Sequence, residues 1–171
     1  MRERAAITPR VVTETEPLWF LGTLARVLLD GEQTGGAFAA FEVLFPAGAA
    51  PPLHSHPQDE TFYILDGEVT VWVEDQPRSC RAGAMAFAPG GAPHTFRVES
   101  DTARMLVLST PAGIEDYVRA LAEPAAWPWL QPPPEGPRVS AERIETVERE
   151  LELVRHGPPP ASLSREAHAG R

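Results

Sequence analysis

The residues of this chain best suited to chemistry are three histidines and a glutamate. His54 and His56 lie one residue apart in LHSHPQDETFYILDG, Leu53 to Gly67, Glu60 follows four positions later, and His94 stands in PGGAPHTFRV. In an extended strand, residues i and i+2 project to one side, so His54 and His56 would present two imidazole nitrogens to one point. With a turn at Pro57, Glu60, Phe62 and Ile64 share the face toward which those imidazoles point. His94 is the other histidine of the strand-rich region. Three neutral imidazoles and one carboxylate leave a divalent transition metal ion net positive, with one or two positions open in a five- or six-coordinate ion. Such mixed nitrogen and oxygen donors suit Ni, Co, Fe, Mn or Cu and do not exclude Zn. Two further histidines have other expected places: His156 at a helix end, against the last carbonyls, and His168 in a solvated tail.

These side chains need strands to hold them. PLWFLGTLARVLL, AFAAFEVLF, TFYILDG, EVTVWVED, MAFAP, HTFRV and ARMLVLST are short runs rich in β-branched or aromatic residues, separated by Gly, Pro and Asp as in an all-β sandwich or barrel. In GEVTVWVED, Val69, Val71 and Val73 share one face and Thr70, Trp72 and Glu74 the other, and the preceding LDGE reads as a tight hairpin. If His94 points inward, Phe96 and Val98 do too. After Thr110 the period changes: Thr110 caps a helix with Pro111 in its first turn, and Ile114, Tyr117, Val118 and Leu121 form its apolar stripe. A proline-rich connector runs from Glu123 to Arg138, with Trp127 and Trp129 as its anchors. A second helix starts at Ser140, carries Ile144, Val147, Leu151 and Val154, and stops at Gly157 and the prolines beyond. The expected organisation is an N-terminal arm over 1–17, a barrel over 18–111, helices with their connector over 112–157, and a disordered tail over 158–171.

Composition narrows the partners. The 171 residues, 43% of them hydrophobic, suffice for one domain with a sizeable core. Fifteen basic against 24 acidic residues give a net charge of −9, which disfavours nucleic acid and anionic membrane surfaces. All basic residues are arginine. No run approaches a membrane span, since LWFLGTLARVLL is interrupted by Gly22, Thr23 and Arg26, and the first residues lack the apolar core of a secretory signal. A cytoplasmic protein is expected. Cys80 is the single cysteine, so no intrachain disulfide forms, and it reads as a small buried apolar residue. GxxxxGK and GxSxG motifs are absent, against phosphoryl transfer and serine hydrolysis.

Gly48 to Gly67 reads GxxxxxHxHxxxExxxxxxG and Gly83 to His94 reads GxxxxxPxGxxH. Together, in order and separated by a short segment, they resemble the two signature motifs of the cupin superfamily. The resemblance implies a double-stranded β-helix, or jelly-roll barrel, followed here by C-terminal α-helices, with His54, His56, Glu60 and His94 binding one divalent metal ion inside it, and a homodimer. The Asn that usually closes the second motif is replaced by Val98, which removes one polar pocket contact. Phe62, Ile64, Phe96 and Val98 would then wall the metal centre, a lining suited to a small aromatic or hydrophobic substrate. The helix, proline-rich stretch and second helix after the barrel are similar to those of bacterial quercetin dioxygenase-like monocupins. That likeness implies O2 as co-substrate, a flavonol or related phenolic as substrate, and Glu60 as both ligand and catalytic base. The alternatives are a non-redox cupin isomerase or polyketide cyclase, in which the metal is only a Lewis acid, and a non-catalytic small-molecule-binding cupin.

Overall fold

Leu21 and Gly22, both at positive φ (45° and 86°), divide the first strand run into β1 (Leu18–Phe20) and β2 (Thr23–Leu29). The computed structural model describes residues 9–125 and 139–161; Trp127, Trp129 and His168 lie outside them. A one-turn helix, α1 (Gly31–Thr34), follows β2, closed by a capping box in which the Asp30 carboxylate accepts from the Gln33 N–H and the Gln33 side chain from that of Asp30. The strands β3 (Ala39–Pro46), β4 (Leu53–Ser55), β5 (Asp59–Asp66), β6 (Glu68–Val73), β7 (Gln76–Arg81), β8 (Met85–Ala88), β9 (His94–Val98) and β10 (Thr102–Thr110) come next. Helix α2 (Ile114–Leu121), strand β11 (Ala122–Pro124), helix α3 (Ala141–Glu150) and strand β12 (Val154–Gly157) complete the described chain.

The strands form two antiparallel sheets, one ordered β11-β1-β2-β3-β10-β5-β8 and the other β12-β4-β9-β6-β7. This is the jelly-roll β-sandwich expected from the motifs. Alternation decides the interior: Phe41, Val43 and Phe45 from β3, Phe62 and Ile64 from β5, Val69 and Val71 from β6, Phe96 and Val98 from β9, and Met105 and Val107 from β10 are all buried in one core. Burying that apolar surface between the sheets is the main favourable term in the fold.

Several expected details differ. The LDGE turn does not make a hairpin, because β5 pairs with β10 and β8 while β6 pairs with β9 and β7. Gly67, at φ 87°, instead carries the chain from one sheet to the other. Any Cβ there would meet the Thr102 carbonyl and lie 2.8 Å from both Ala103 Cα and Ser100 Oγ, so glycine is required. Thr110 ends β10 and does not cap α2, whose N-cap is Gly113. Ile114, Val118 and Leu121 do turn inward, and Tyr117 packs edge-on against Phe20 with ring centroids 5.7 Å apart. Ser140 caps α3 as expected, but Leu151 ends it and Val154 opens β12, where it is exposed. Cys80 is buried and free.

Candidate metal centre

Two loops bring the four polar residues together. Beyond β4 the chain turns through Pro57 and Gln58 into β5, and beyond β8 it turns through Gly90 and Gly91 into β9. These turns are stitched to each other: Gly91 N–H donates to the His56 carbonyl at 2.8 Å and Gly90 N–H to Asp59 Oδ1 at 2.7 Å. A side chain at Gly90 would collide with the Pro57 backbone, which explains a glycine at that contact. Strand β4 lies beside β9 with His54 directly opposite His94.

His54, His56, Glu60 and His94 each offer a ligand atom, and those atoms lie within 4.8 Å of one another, a set able to hold a metal ion. The rings of His54 and His94 are 4.5 Å apart, centroid to centroid, and those of His56 and His94 4.9 Å. His56, Glu60 and His94 are buried, and His54 is half-buried. Glu60 Oε2 lies 3.2 Å from His56 Nε2 and 2.9 Å from His94 Nε2.

The ring orientations bear on what the cluster can hold. His54 Nδ1 is 2.8 Å from the Pro52 carbonyl oxygen and His94 Nδ1 is 2.9 Å from that of Ala92. A carbonyl only accepts, so both Nδ1 atoms carry protons, and a neutral ring then turns the lone pair of Nε2 toward the cluster. At His94 that lone pair would face a carboxylate oxygen, two acceptors at hydrogen-bond distance. Such an arrangement is repulsive unless a proton or a cation sits among the groups. Among the described residues, His56 Nδ1 is buried without a partner, and its Nε2 also faces Glu60. The donor set therefore fits a divalent cation.

Electrostatics agree with a site prepared for positive charge. Burial, reinforced by the charge of His94, lowers the pKa of His54 to about 4, so its ring is neutral and ligand-competent at neutral pH. Burial opposes ionisation of Glu60, but the hydrogen bonds to His56 and His94 outweigh it and hold the carboxyl at about 2. Burial also opposes charge on His94, and there the hydrogen bond to Glu60 wins and raises the pKa.

The four expected wall residues are not equally placed relative to the four clustered side chains. Phe62 and His94 have ring centroids 6.1 Å apart, and Phe62 and Phe96 5.9 Å, so Phe62 lies beside the cluster and Phe96 packs against Phe62. Ile64 and Val98 lie farther along the same strands, at 0% and 2% exposure within the core. Phe45 joins the group edge-on to Phe96 at 4.9 Å; it comes from β3, and nothing local in the sequence ties it to the site. His156 is not at a helix end: it lies in β12, with Nε2 2.8 Å from Ser55 Oγ. No local pattern could pair residues so distant in the chain.

The family model for the cupin domain matches residues 41–111, the segment that contains all four clustered residues. Over that segment the chain is a cupin domain. Among curated relatives, this cupin is 28% identical over 102 residues to quercetin 2,3-dioxygenase of Bacillus subtilis, covering 59% of the chain and 30% of the relative. It is 38% identical over 95 residues to the dimethylsulfoniopropionate lyase DddQ of Ruegeria pomeroyi, covering 52% of the chain and 46% of the relative. It thus spans less than half the length of either. The structure of an RmlC-like cupin from Shewanella frigidimarina superposes with a TM-score of 0.55 at 21% identity, over 68% of this cupin and 100% of that chain. That last likeness concerns the fold. The sequence relatives include enzymes of both redox and lyase type. Among the described residues of this cupin, no helix is long and apolar enough to cross a membrane.

Proposed function

We propose that this cupin is a metal-dependent dioxygenase acting on a flavonol such as quercetin or a related phenolic compound. The observation that carries the reading is the cluster of three imidazoles and the Glu60 carboxylate, with the phenyl ring of Phe62 beside His94 and that of Phe96 packed against Phe62. His54, His56, Glu60 and His94 would hold one divalent ion, with Ni, Co, Fe, Mn or Cu as the redox-capable choices and Zn as the inert one. When bound, the ion supplies Lewis acidity toward a substrate oxygen and, if redox-active, the electron transfer through which dioxygen reacts with a phenolate. Glu60 is the proton acceptor for the substrate hydroxyl, being ionised at neutral pH. The imidazole hydrogen bonds that make it a weak base in the metal-free arrangement exist only while those nitrogens carry protons. Phe62 and Phe96 provide faces and edges for a planar ring and keep water from the reacting atoms, and Ile64 and Val98 back them. A homodimer in the cytoplasm belongs to the same reading.

A second reading is non-redox chemistry of lyase, isomerase or cyclase type, with the ion as Lewis acid alone. The identity to the dimethylsulfoniopropionate lyase, higher than that to the dioxygenase, favours it. Oxygen-electrode measurements on protein reconstituted with each metal separate the two, using quercetin, catechols and polyketide-like phenols as substrates. The dioxygenase reading expects uptake with a redox metal, none with Zn, and most of the rate lost in Glu60→Gln. No uptake with any metal, together with metal-dependent elimination or isomerisation that also proceeds with Zn, would replace it by the second reading.

A further inference from the structure

We propose that the C-terminal strand β12 is a clasp that positions the metal-binding histidines, and that His156 is a positioning residue acting through Ser55. The proposal rests on the reading of His54, His56, Glu60 and His94 as metal ligands.

Strand β4 is three residues long and pairs with β9 only where His54 faces His94. On its other side it pairs with β12 at three places: Ser55 with Val154, His54 with Arg155, and Leu53 with Gly157. Most of the pairing that fixes the backbone of the two-histidine strand thus comes from β12. Strand alternation sends His54 and His56 inward and Ser55 outward, and there Ser55 Oγ and His156 Nε2 share a hydrogen bond of 2.8 Å. That bond sets the rotation of β4 at the residue between the two ligands.

The clasp is itself anchored. Arg155 donates from Nε and Nη2 to Glu148 Oε1, at 3.0 and 2.7 Å, and Tyr117 Oη donates to the same oxygen at 3.2 Å. Glu148 is 7% exposed, so this carboxylate ties β12 to α3 and, through Tyr117, to α2. Beyond β12, the Pro160 carbonyl accepts from Nε and Nη2 of Arg97, at 3.2 and 2.9 Å. Arg97 lies on β9, three residues from His94 and on the opposite face from it. The segment therefore fastens, from outside, both strands that supply histidines. Ligand strands held in place before metal arrives do not need to be ordered by binding, so the clasp raises affinity.

The test compares metal affinity, by competition with a chromophoric chelator, and the visible absorption of the Co-loaded protein, in the full chain and in His156→Ala, Ser55→Ala and His156→Gln. His156 is exposed, so its replacement leaves folding intact, which far-ultraviolet circular dichroism checks. The expected result is an affinity about tenfold lower in both alanine variants, the loss of one hydrogen bond, a shifted Co spectrum, and recovery in His156→Gln, whose amide can still bond Ser55. Affinity within about twofold of the parent and an unchanged spectrum in both alanine variants would overturn the clasp. Absence of metal binding by the parent would overturn instead the reading of the four residues as ligands.

Discussion

Replacing Glu60 by Gln in the metal-free protein isolates the electrostatic design of the centre. The Glu60 carboxyl is held at about 2 against an ordinary 4.5, with hydrogen bonds to His56 and His94 overcoming the cost of burial. Because the folded-state pKa is the lower one, the unfolded chain takes up the proton first as pH falls. The stabilisation is therefore complete above about pH 4.5 and lost progressively toward about pH 2. An interval of about 2.5 units at roughly 1.4 kcal/mol each amounts to roughly 3 kcal/mol, more than half of it gone by about pH 3. Urea unfolding of chelator-treated parent and Glu60→Gln, at steps between about pH 6 and pH 3, measures this directly. His54 and His94 both feel the Glu60 charge, so the difference between the two curves reports the carboxylate together with its imidazole partners. The gap should narrow by about 2 kcal/mol across that range. A gap that stays constant with pH would show that the carboxylate gains nothing from its imidazole partners.

Two further substitutions probe the scaffold. Gly67→Ala combines a φ of 87° with a Cβ 2.8 Å from Ala103 Cα and should cost at least about 2 kcal/mol in chemical denaturation; a loss below about 0.5 kcal/mol would mean that the crossing between the sheets tolerates a side chain. Glu115 is 2% exposed and accepts from the Gly31 N–H at 2.7 Å and the Gly113 N–H at 2.6 Å, so Glu115→Ala leaves two donors unmatched and should cost roughly 2 to 4 kcal/mol by the same assay; an unchanged midpoint would contradict its role in joining α1 to α2.

What could be read from the sequence, and what could not, follows from the range of the interactions. Residues one or two apart on a strand share or alternate faces whatever surrounds them, so the inward set His54, His56, Glu60, Phe62, His94 and Phe96 was legible. Strand β7, QPRSCR, was not: it is an edge strand with only Cys80 buried, so it shows no apolar alternation. Val154 continued the spacing of the α3 stripe, yet the chain leaves the helix at Leu151 and passes through Glu152 at φ 55°. Asp-Gly at Asp66 and Gly67 is a local hairpin signal, and it was overridden because β5 finds its partners in β10 and β8. The pairing of Ser55 with His156 spans 101 residues and leaves no trace in local pattern.

His54, His56, Glu60 and His94 are expected to hold one divalent ion together. Elemental analysis of the purified protein, reconstituted with a single metal and freed of excess, tests it most directly, alongside His54→Ala and His94→Ala. The expected result is one equivalent of metal in the parent and an affinity lower by orders of magnitude in both variants. Stoichiometric metal retained in both variants would contradict it.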